Sequence, residues 1–319
     1  MSTALAAALQ IAWERRQPLF ENSETNAYRL FSVGEENVRG LSADRYGQLA
    51  VVYRALGKRP LSDEALSEIA DFYLAQTNIN SVYVKDVQSD RSHAQPTAAR
   101  HLGGAPFEGD SIVSENGLSY KVSPLESFSS GLFMDQREQR LAFRKESQSL
   151  EVLNTFAYTC SFSVACAVGG AKVTSVDISK RYLDWGKENF LANGLNPEDH
   201  EFFPNDTIGF LKGASKRGRK FDLVILDPPS FARNRKGTFS IKRDAEDLLR
   251  LAGQVVKPGG KLYFSSNLTE WNNDSLSRLM RITLPQARIT HAAPLPLDFQ
   301  YEEHPVSRIL AVLNPGRRP

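Results

Sequence analysis

The sequence predicts an α/β protein in which a mostly parallel, doubly wound sheet follows a small α+β domain. From about residue 150, short apolar runs alternate with stretches of helical period, which is typical of helices that cover both faces of a parallel sheet. Residues 1–118 lack this regular alternation. A chain of 319 residues is long enough for two domains, and we place them at 1–118 and 119–319.

The first domain is predicted to open with an amphipathic helix, rather than a signal peptide, and to continue as a small sheet. Asp44-Arg45-Tyr46-Gly47 is predicted to be a hairpin turn. Ser62 is suited to cap a helix over 61–74. The polar stretch 86–104 is predicted to be a loop. The strands are expected at 27–31, 49–53, 81–85 and 118–122.

The second domain is predicted from the regular alternation itself. The strands are expected at 151–154, 172–177, 201–204, 221–227 and 261–266, and the helices at 162–168, 181–193, 207–214 and 244–256. Pro258-Gly259-Gly260 is predicted to end the last of these helices and to turn the chain into its strand. A helix that begins after Asn272 and runs to Leu284, and a strand pair at 287–292 and 307–313, complete the domain.

Composition argues against a membrane-spanning protein and against a disulfide-stabilised one. The chain is 41% hydrophobic and 24% charged, which is ordinary for a globular protein with a sizeable core. No apolar run approaches the roughly 18 residues that cross a bilayer. The two cysteines, Cys160 and Cys166, cannot form a structural disulfide framework, so we expect a reducing compartment, the cytoplasm.

Charge is unevenly spread along the chain. Residues 1–118 hold 11 Lys+Arg against 15 Asp+Glu, or −4, whereas the remainder holds 28 against 22, or +6. A charge run alone is more often a solvated loop, but one basic cluster directly follows an unusual segment at 227–231, and such clusters suit a polyanionic partner. The clusters are Lys216-Arg217-Gly218-Arg219-Lys220 and the set Arg233, Arg235, Lys236, Lys242 and Arg243.

Acids stand at or just beyond three predicted strand ends. In an open parallel sheet the ligand lies across the carboxyl ends of the strands, and an acid after the second strand can accept both ribose hydroxyls of a nucleoside. Asp177 has that position, Asp206 beside Asn205 is suited to the adenine amino group, and Asp227 would lie nearer the reactive end. Each acid alone could be a helix cap, but three in register predict a nucleoside cofactor.

The loop after the first strand, Asn154 to Ser161, contains no glycine. A phosphate cradle needs glycines for positive φ and close backbone approach, so NAD and ATP are poor candidates. S-adenosylmethionine (SAM) carries no phosphate and is the predicted cofactor. The candidate contacts in this loop are Asn154, Phe156, Tyr158 and Thr159.

Asp227-Pro228-Pro229-Ser230-Phe231 closes a buried apolar run. Proline cannot continue a ladder, so the strand must end there and present its carboxylate and carbonyls at the sheet edge. Phe231 is suited to stack on a base that has been turned out of its helix. In SAM-dependent methyltransferases a similar segment holds a planar acceptor with a nitrogen. Asp227, Pro228, Pro229 and Phe231 are therefore the candidate catalytic residues.

Five segments of the chain together match one known family: 44–47, Gly131-Leu132-Phe133-Met134-Asp135-Gln136-Arg137, 153–159, Ser175-Val176-Asp177-Ile178-Ser179 and 227–231. Through them, from about Tyr28 to Leu313, the chain resembles the bacterial large-subunit ribosomal RNA methyltransferases, and is most similar to the guanine-N7 half of the bifunctional 23S enzyme. The resemblance implies a class I, Rossmann-like SAM-dependent methyltransferase fold, with RNA as substrate and an N-terminal domain for recognition. It also implies Ile178, Gln136 and Arg137 as further candidate cofactor contacts.

Two departures from the family matter, the first for the cofactor contacts and the second for the substrate. Cys160 stands where the family usually has glycine. Relatives that make 5-methylcytosine carry a cysteine on the strand that here has Ser265 and Ser266. Methylation of cytosine C5 needs a thiolate that adds to the ring, and serine is far less acidic. Guanine N7 already has an in-plane lone pair and needs only alignment with the methyl group.

We therefore predict methylation of a purine nitrogen, guanine N7, in 23S rRNA or a large-subunit precursor, without a metal and without a membrane. Arg233, Arg235 and Lys236 are the candidate RNA contacts. Other acceptors stay open at this point: a cytosine carbon, a protein side chain or a small molecule. So does an RNA-binding assembly protein with weak catalysis. The oligomeric state is also open.

Overall fold

The computed structural model describes residues 3–57, 60–76, 78–88, 98–126, 129–234 and 237–313. The chain divides into two compact units, Met1–Arg137 with Leu295–Glu303, and Glu138–Pro294 with His304–Pro319. The predicted boundary between the domains was after residue 118. The division falls further along because β6 (Ser111–Glu115) and β7 (Leu118–Val122) pair with each other as one hairpin in the first unit.

The first unit is a sheet with helices on one face. The strand order is β1-β2-β3-β4-β5, and side chains of α1 and α3 pack on β1 to β4 in one apolar cluster. Ser62 caps α3 as predicted, since its side chain accepts from the Ala65 N–H at 3.3 Å. The elements are α1 (Thr3–Arg15), α2 (Gln17–Phe20), β1 (Ala27–Phe31), β2 (Leu41–Tyr46), β3 (Leu49–Leu56), α3 (Asp63–Leu74), β4 (Ser81–Gln88) and β5 (Arg100–Gly104).

Two predictions for this unit were wrong in detail. Asp44 to Tyr46 is not a turn but the end of β2, and the turn is at Gly47, whose φ of +63° is in the left-handed region that glycine adopts without strain. Asp44 is held in the strand by Arg29, whose Nε donates to its carboxylate at 2.8 Å. The stretch predicted as a loop contains β5, which pairs with β4, while 89–97 lie outside the described residues.

A buried ion pair ties the returning segment Leu295–Glu303 to the first unit. The Arg137 guanidinium donates to the Asp298 carboxylate, and both side chains are almost fully buried. The other carboxylate oxygen of Asp298 accepts from the Arg29 backbone N–H at 2.8 Å. Gln136, at the end of the 3-10 turn before Arg137, is also buried. The roles predicted for Gln136 and Arg137 at the cofactor stay predictions.

The second unit is the predicted doubly wound sheet, with strand order β10-β9-β8-β11-β14-β16-β15. The strands from β10 to β14 are parallel, and β16 is antiparallel to both of its neighbours. Its elements are α4 (Arg137–Glu146), β8 (Glu151–Thr155), α5 (Ser161–Val168), β9 (Lys172–Asp177), α6 (Lys180–Ala192), β10 (Glu201–Pro204), α7 (Thr207–Lys216), β11 (Phe221–Leu226), β12 (Phe231–Asn234), β13 (Gly237–Ser240), α8 (Ile241–Gly253), β14 (Val256–Ser266), α9 (Asn273–Thr283), β15 (Ala287–Thr290) and β16 (Ser307–Leu313).

Helices cover both faces of this sheet, as neighbouring residues of β14 show. Phe264 packs in one apolar cluster with side chains of α7, α8 and α9. Tyr263 points to the opposite face, where its ring centroid lies 5.4 Å from that of Phe143 on α4 and 5.8 Å from that of Phe162 on α5. The double winding predicted from the alternation is therefore confirmed.

The prediction for the start of β14 was wrong in detail. The helix predicted to reach residue 256 ends at Gly253, and β14 already begins at Val256. Pro258-Gly259-Gly260 lies inside β14 as an irregularity, because Phe221 pairs with Val256 whereas Leu223 pairs with Lys261. The β12–β13 hairpin after the Asp-Pro-Pro segment was not predicted at all.

We predict that Arg137→Met lowers the free energy of unfolding by about 3–5 kcal/mol, because it leaves the buried Asp298 carboxylate without its cation. Adding Asp298→Asn should recover part of that loss. The matched control is Lys180→Met, which breaks an exposed helix-surface pair with Asp184 and should change little. Urea unfolding measures all three. Equal losses for the two single variants would contradict the ion pair's structural role.

Candidate cofactor and acceptor site

The predicted strand-end residues meet at one edge of the second unit's sheet. Thr155 of β8 pairs with Val176 of β9 and with Leu226 of β11, and Asp177 pairs with Pro204 of β10. The parallel strands thus end side by side. The chain winds outward from β8 through β9 to β10 and then returns to β11 on the other side of β8, so the switch point lies between β8 and β11. Ligands of open α/β sheets bind at such a point.

Asp177 joins the end of β9 to the loop after β8. Its two carboxylate oxygens accept one backbone N–H each, from Tyr158 at 2.9 Å and from Ser179 at 2.8 Å. Burial raises the pKa of the partly buried Asp177 above its usual value, and the two N–H groups oppose that rise. A carboxylate has about four lone-pair sites, so about two remain for hydroxyl donors.

The loop after β8 adopts an unusual backbone without a glycine. Three alternate residues have positive φ, namely Phe156 at +54°, Tyr158 at +50° and Cys160 at +63°. Positive φ in such a loop was expected of glycine, whereas here bulky side chains occupy the left-handed region. That conformation costs a non-glycine residue about 1–2 kcal/mol, so the surrounding contacts must hold it.

Cys160 is held in place by packing against α6. It is fully buried, and a Cβ built on Gly186 of α6 would stand 2.4 Å from its sulfur, so only glycine fits opposite it. Asn189 of the same helix donates to the Thr159 carbonyl at 2.9 Å. Burial raises the pKa of both thiols, Cys160 and Cys166, to about 12, so neither forms a reactive thiolate near neutral pH.

The remaining cofactor candidates have defined local roles. Asp206 caps α7, because its carboxylate accepts from the Gly209 N–H at 2.9 Å. Asn205 is exposed and its N–H donates to the Asp177 carbonyl at 3.0 Å. Ile178 is 54% exposed beside Asp177, an apolar surface suited to the face of a base. Asn154 is buried and bonds to Ser163, which places its side chain in the core of the unit.

Asp227 lies at the end of β11 and is hydrogen-bonded by a residue that was not among the predicted site residues. The Ser265 hydroxyl of β14 donates to its carboxylate. Burial raises the pKa of Asp227, while that hydroxyl and the positive charges of Arg140 and Arg308 oppose the rise. Only the strand register brings Ser265 and Arg308 to Asp227, and nothing local in the sequence indicates it.

The residues after Asp227 differ in exposure, and Pro228, directly after it, is buried. Pro229 is exposed, and Phe231 is 55% exposed, which excludes a core position for its ring. The Ser230 hydroxyl donates to the Asn267 side chain at 2.6 Å and so ties the segment to the end of β14. Phe239 of β13 lies against Phe156 of the loop after β8, with ring centroids 5.5 Å apart.

The basic clusters differ in their placement. Lys216 to Lys220 precede β11 and lie at the amino edge of the sheet, away from the site, and Arg219 there pairs with Glu201. In the second cluster, Lys242 pairs with Glu270 and Arg243 with Asp244. The Arg233 side chain, Arg235 and Lys236 lie outside what the structure describes, so their predicted RNA contacts stay predictions.

Within the described ranges, no group of three or more His, Cys, Asp or Glu side chains is arranged to hold a metal ion. None of the helices in those ranges is both long enough and apolar enough to cross a membrane.

Comparisons with known proteins agree on the family. A family model described as S-adenosylmethionine-dependent methyltransferase matches residues 43–286. YwbD of Bacillus subtilis, provisionally named a ribosomal RNA large subunit methyltransferase, is 36% identical over 259 residues, which are 80% of this chain and 64% of YwbD. The ribosomal RNA large subunit methyltransferase K/L of a Psychrobacter species is 41% identical over 51% of this chain and only 20% of its own length. The chain thus spans less than two thirds of both relatives.

A solved structure extends the similarity to the fold. SMU.776, crystallised with S-adenosylhomocysteine (SAH), superposes with a TM-score of 0.84 at 26% identity, covering 98% of this chain and 82% of that protein.

We predict that Cys160→Gly is more stable than Cys160→Ala by about 1 kcal/mol, because only glycine relieves the left-handed backbone at this position. The matched control is Cys166 in the interior of α5, where alanine should be more stable than glycine by a similar amount. Urea unfolding of the four variants tests this. Alanine more stable at both positions would contradict the strain.

Proposed function

The chain belongs to the S-adenosylmethionine-dependent methyltransferases, and from that premise we propose that it methylates a guanine of large-subunit ribosomal RNA at N7. The observation that carries the proposal is the pair of carboxylates at the sheet edge. Asp177 lies on the β9 side of the switch point and Asp227 on the β11 side. One can hold a nucleoside cofactor while the other faces an acceptor.

The residues around Asp177 fit SAM. The lone pairs that remain on Asp177 suit the two ribose hydroxyls, and the exposed Ile178 suits one face of adenine. Asn205 and Asp206 follow β10 on the same side, where the adenine amino group would lie. The loop after β8 offers backbone groups rather than a glycine cradle, which suits a cofactor without phosphate. When bound, SAM supplies a methyl group on a positively charged sulfur.

The residues around Asp227 fit a flat nitrogen acceptor. The exposed Phe231 offers a ring face for stacking, and Pro228 and Pro229 fix the carbonyls beside it. Guanine N7 carries its own lone pair, so these residues need only align the base with the methyl group. The buried thiols with raised pKa values argue against cytosine C5, which needs a thiolate.

Ribosomal RNA is the proposed substrate because the named relatives are ribosomal RNA large subunit methyltransferases. The segment 233–243 adds positive charge next to the acceptor residues, as phosphate contacts require. Free 23S rRNA and a precursor particle both offer this chemistry.

We predict that Asp177→Ala weakens SAM binding by about 1.5–3 kcal/mol, since it removes a charged acceptor of hydrogen bonds. Calorimetry measures the affinity. The matched control is Asp184→Ala, which removes an exposed carboxylate on α6 and should leave the affinity unchanged. A folded Asp177→Ala protein that binds SAM as well as the wild type would remove this assignment.

We further predict that 23S rRNA from a strain lacking the gene has lost one 7-methylguanosine, and that the purified protein with SAM restores it. Mass spectrometry of nucleosides from the digested rRNA measures this. Asp227→Ala should bind SAM but restore far less. A missing 5-methylcytidine or methyladenosine, or an unchanged nucleoside profile, would contradict the proposed acceptor.

A further inference from the structure

A row of polar side chains runs from Asp227 across two neighbouring strands to Arg308. Leu226, the last residue of β11, pairs with Phe264 of β14, which places Ser265 beside Asp227. Ser265 in turn pairs with Arg308 of the antiparallel β16. Directly opposed residues of paired strands project to the same face of a sheet, so Arg308 lies on the face that Ser265 and Asp227 share.

Arg308 is a buried cation with an unused donor. The residue is 7% exposed, and its Nη1 is buried without a hydrogen-bond partner among the described residues. The backbone N–H of Arg308 donates to Asn273 at 2.7 Å, which fixes the main chain but not the guanidinium. A guanidinium can only donate, and a buried donor left unpaired is costly and rare. An oxygen atom of a ligand bound at this edge of the sheet would complete it.

The position of Arg308 in the sheet selects which ligand. The proposed cofactor residues follow β8, β9 and β10. From β8 the strand order runs through β11 and β14 to β16, so Arg308 lies three strands, about 14 Å, beyond the end of β8. It lies only two strands beyond β11, whose end carries Asp227. The unpaired donor therefore belongs to the acceptor side of the switch point.

We propose that Arg308 binds the methyl acceptor, with Nη1 donating to an oxygen atom of the base, and this rests on the proposed function. In guanine the neighbour of N7 is O6, an acceptor, whereas in adenine it is an amino group, which cannot accept. A donor at this position therefore favours guanine over adenine. Asp227 and Arg308 then present an acceptor and a donor to the same base.

The test is Arg308→Met, assayed with tritiated SAM and 23S rRNA from a strain lacking the gene. We expect kcat/KM for the RNA to fall at least about tenfold, as for the loss of a charged hydrogen bond. The affinity for SAH should change less than about twofold. The urea midpoint should stay close to that of the wild type, because Nη1 of Arg308 makes no hydrogen bond that the variant would break.

Three controls separate the outcomes. Methyl transfer to the RNA by the wild-type protein tests the proposed function itself. Given that transfer, the loss in Arg308→Met measures the contribution of Arg308. Arg288→Met removes an exposed arginine of the neighbouring β15 and should behave as wild type. Arg308→Lys keeps the charge but not the planar fork, and should lose at least about threefold in kcat/KM for the RNA while binding SAH normally.

Unchanged kcat/KM in Arg308→Met would overturn the proposal. So would a parallel loss of SAH binding, which would put Arg308 at the cofactor. Failure of both variants to fold would also overturn it, since the guanidinium would then be a structural partner of Asp227.

Discussion

The Asp177 carboxylate accepts hydrogen bonds from the backbone N–H groups of Tyr158 and Ser179, and the geometry of the site depends on this pair of bonds. One bond ties the end of β9 to the loop after β8, and the other orders the start of α6. The Asp177 carbonyl also accepts from the Asn205 N–H, which adds the end of β10. A single residue thereby joins the segments that follow three strands. The loop between β8 and α5 can then keep positive φ at three positions without glycine, because these bonds and the packing of Cys160 on Gly186 outweigh the local strain.

On the other side of the switch point, burial and nearby positive charges act on the Asp227 carboxylate. Asp227 is partly buried, and burial alone would favour its neutral form. The Ser265 hydroxyl and two buried arginines oppose that tendency, so the same low-dielectric surroundings that raise the pKa also strengthen its interactions. In the proposed function, the exposed ring of Phe231 would add a stacking surface for the base. A nitrogen acceptor held in this way would need no covalent chemistry from the protein, which agrees with the raised pKa of the two thiols.

The parts of the fold that the sequence predicted are those encoded locally. The strands of the second unit were recognisable as apolar runs, and Asp177, Asp206 and Asp227 were recognisable because they follow them. The topological rule for parallel sheets then supplied their common edge. Local patterns gave wrong predictions in two situations. Proline and glycine residues lie inside a strand at Pro258-Gly259-Gly260 of β14, and a polar residue belongs to a strand at Asp44 of β2.

What could not be predicted depends on contacts distant in sequence. Arg137 and Asp298 are 161 residues apart, and no sequence pattern near either residue indicates that they form an ion pair. Ser265 and Arg308 reach Asp227 only through the register of β11, β14 and β16. The positive φ values of Phe156 and Tyr158 likewise depend on what surrounds the loop, since neither residue type favours that conformation on its own.

The central claim is that the carboxyl edge between β9 and β11 holds SAM. Irradiation of the protein with methyl-tritiated SAM, followed by tryptic digestion, tests it most directly, because the cofactor then labels the residues that it touches. The four relevant peptides are separable and span 146–172, 173–180, 188–212 and 221–233. The structure predicts label in one or more of these, lost when excess SAH is present. Label confined to residues 1–137, or to the basic segment 216–220 at the opposite edge, would contradict the account.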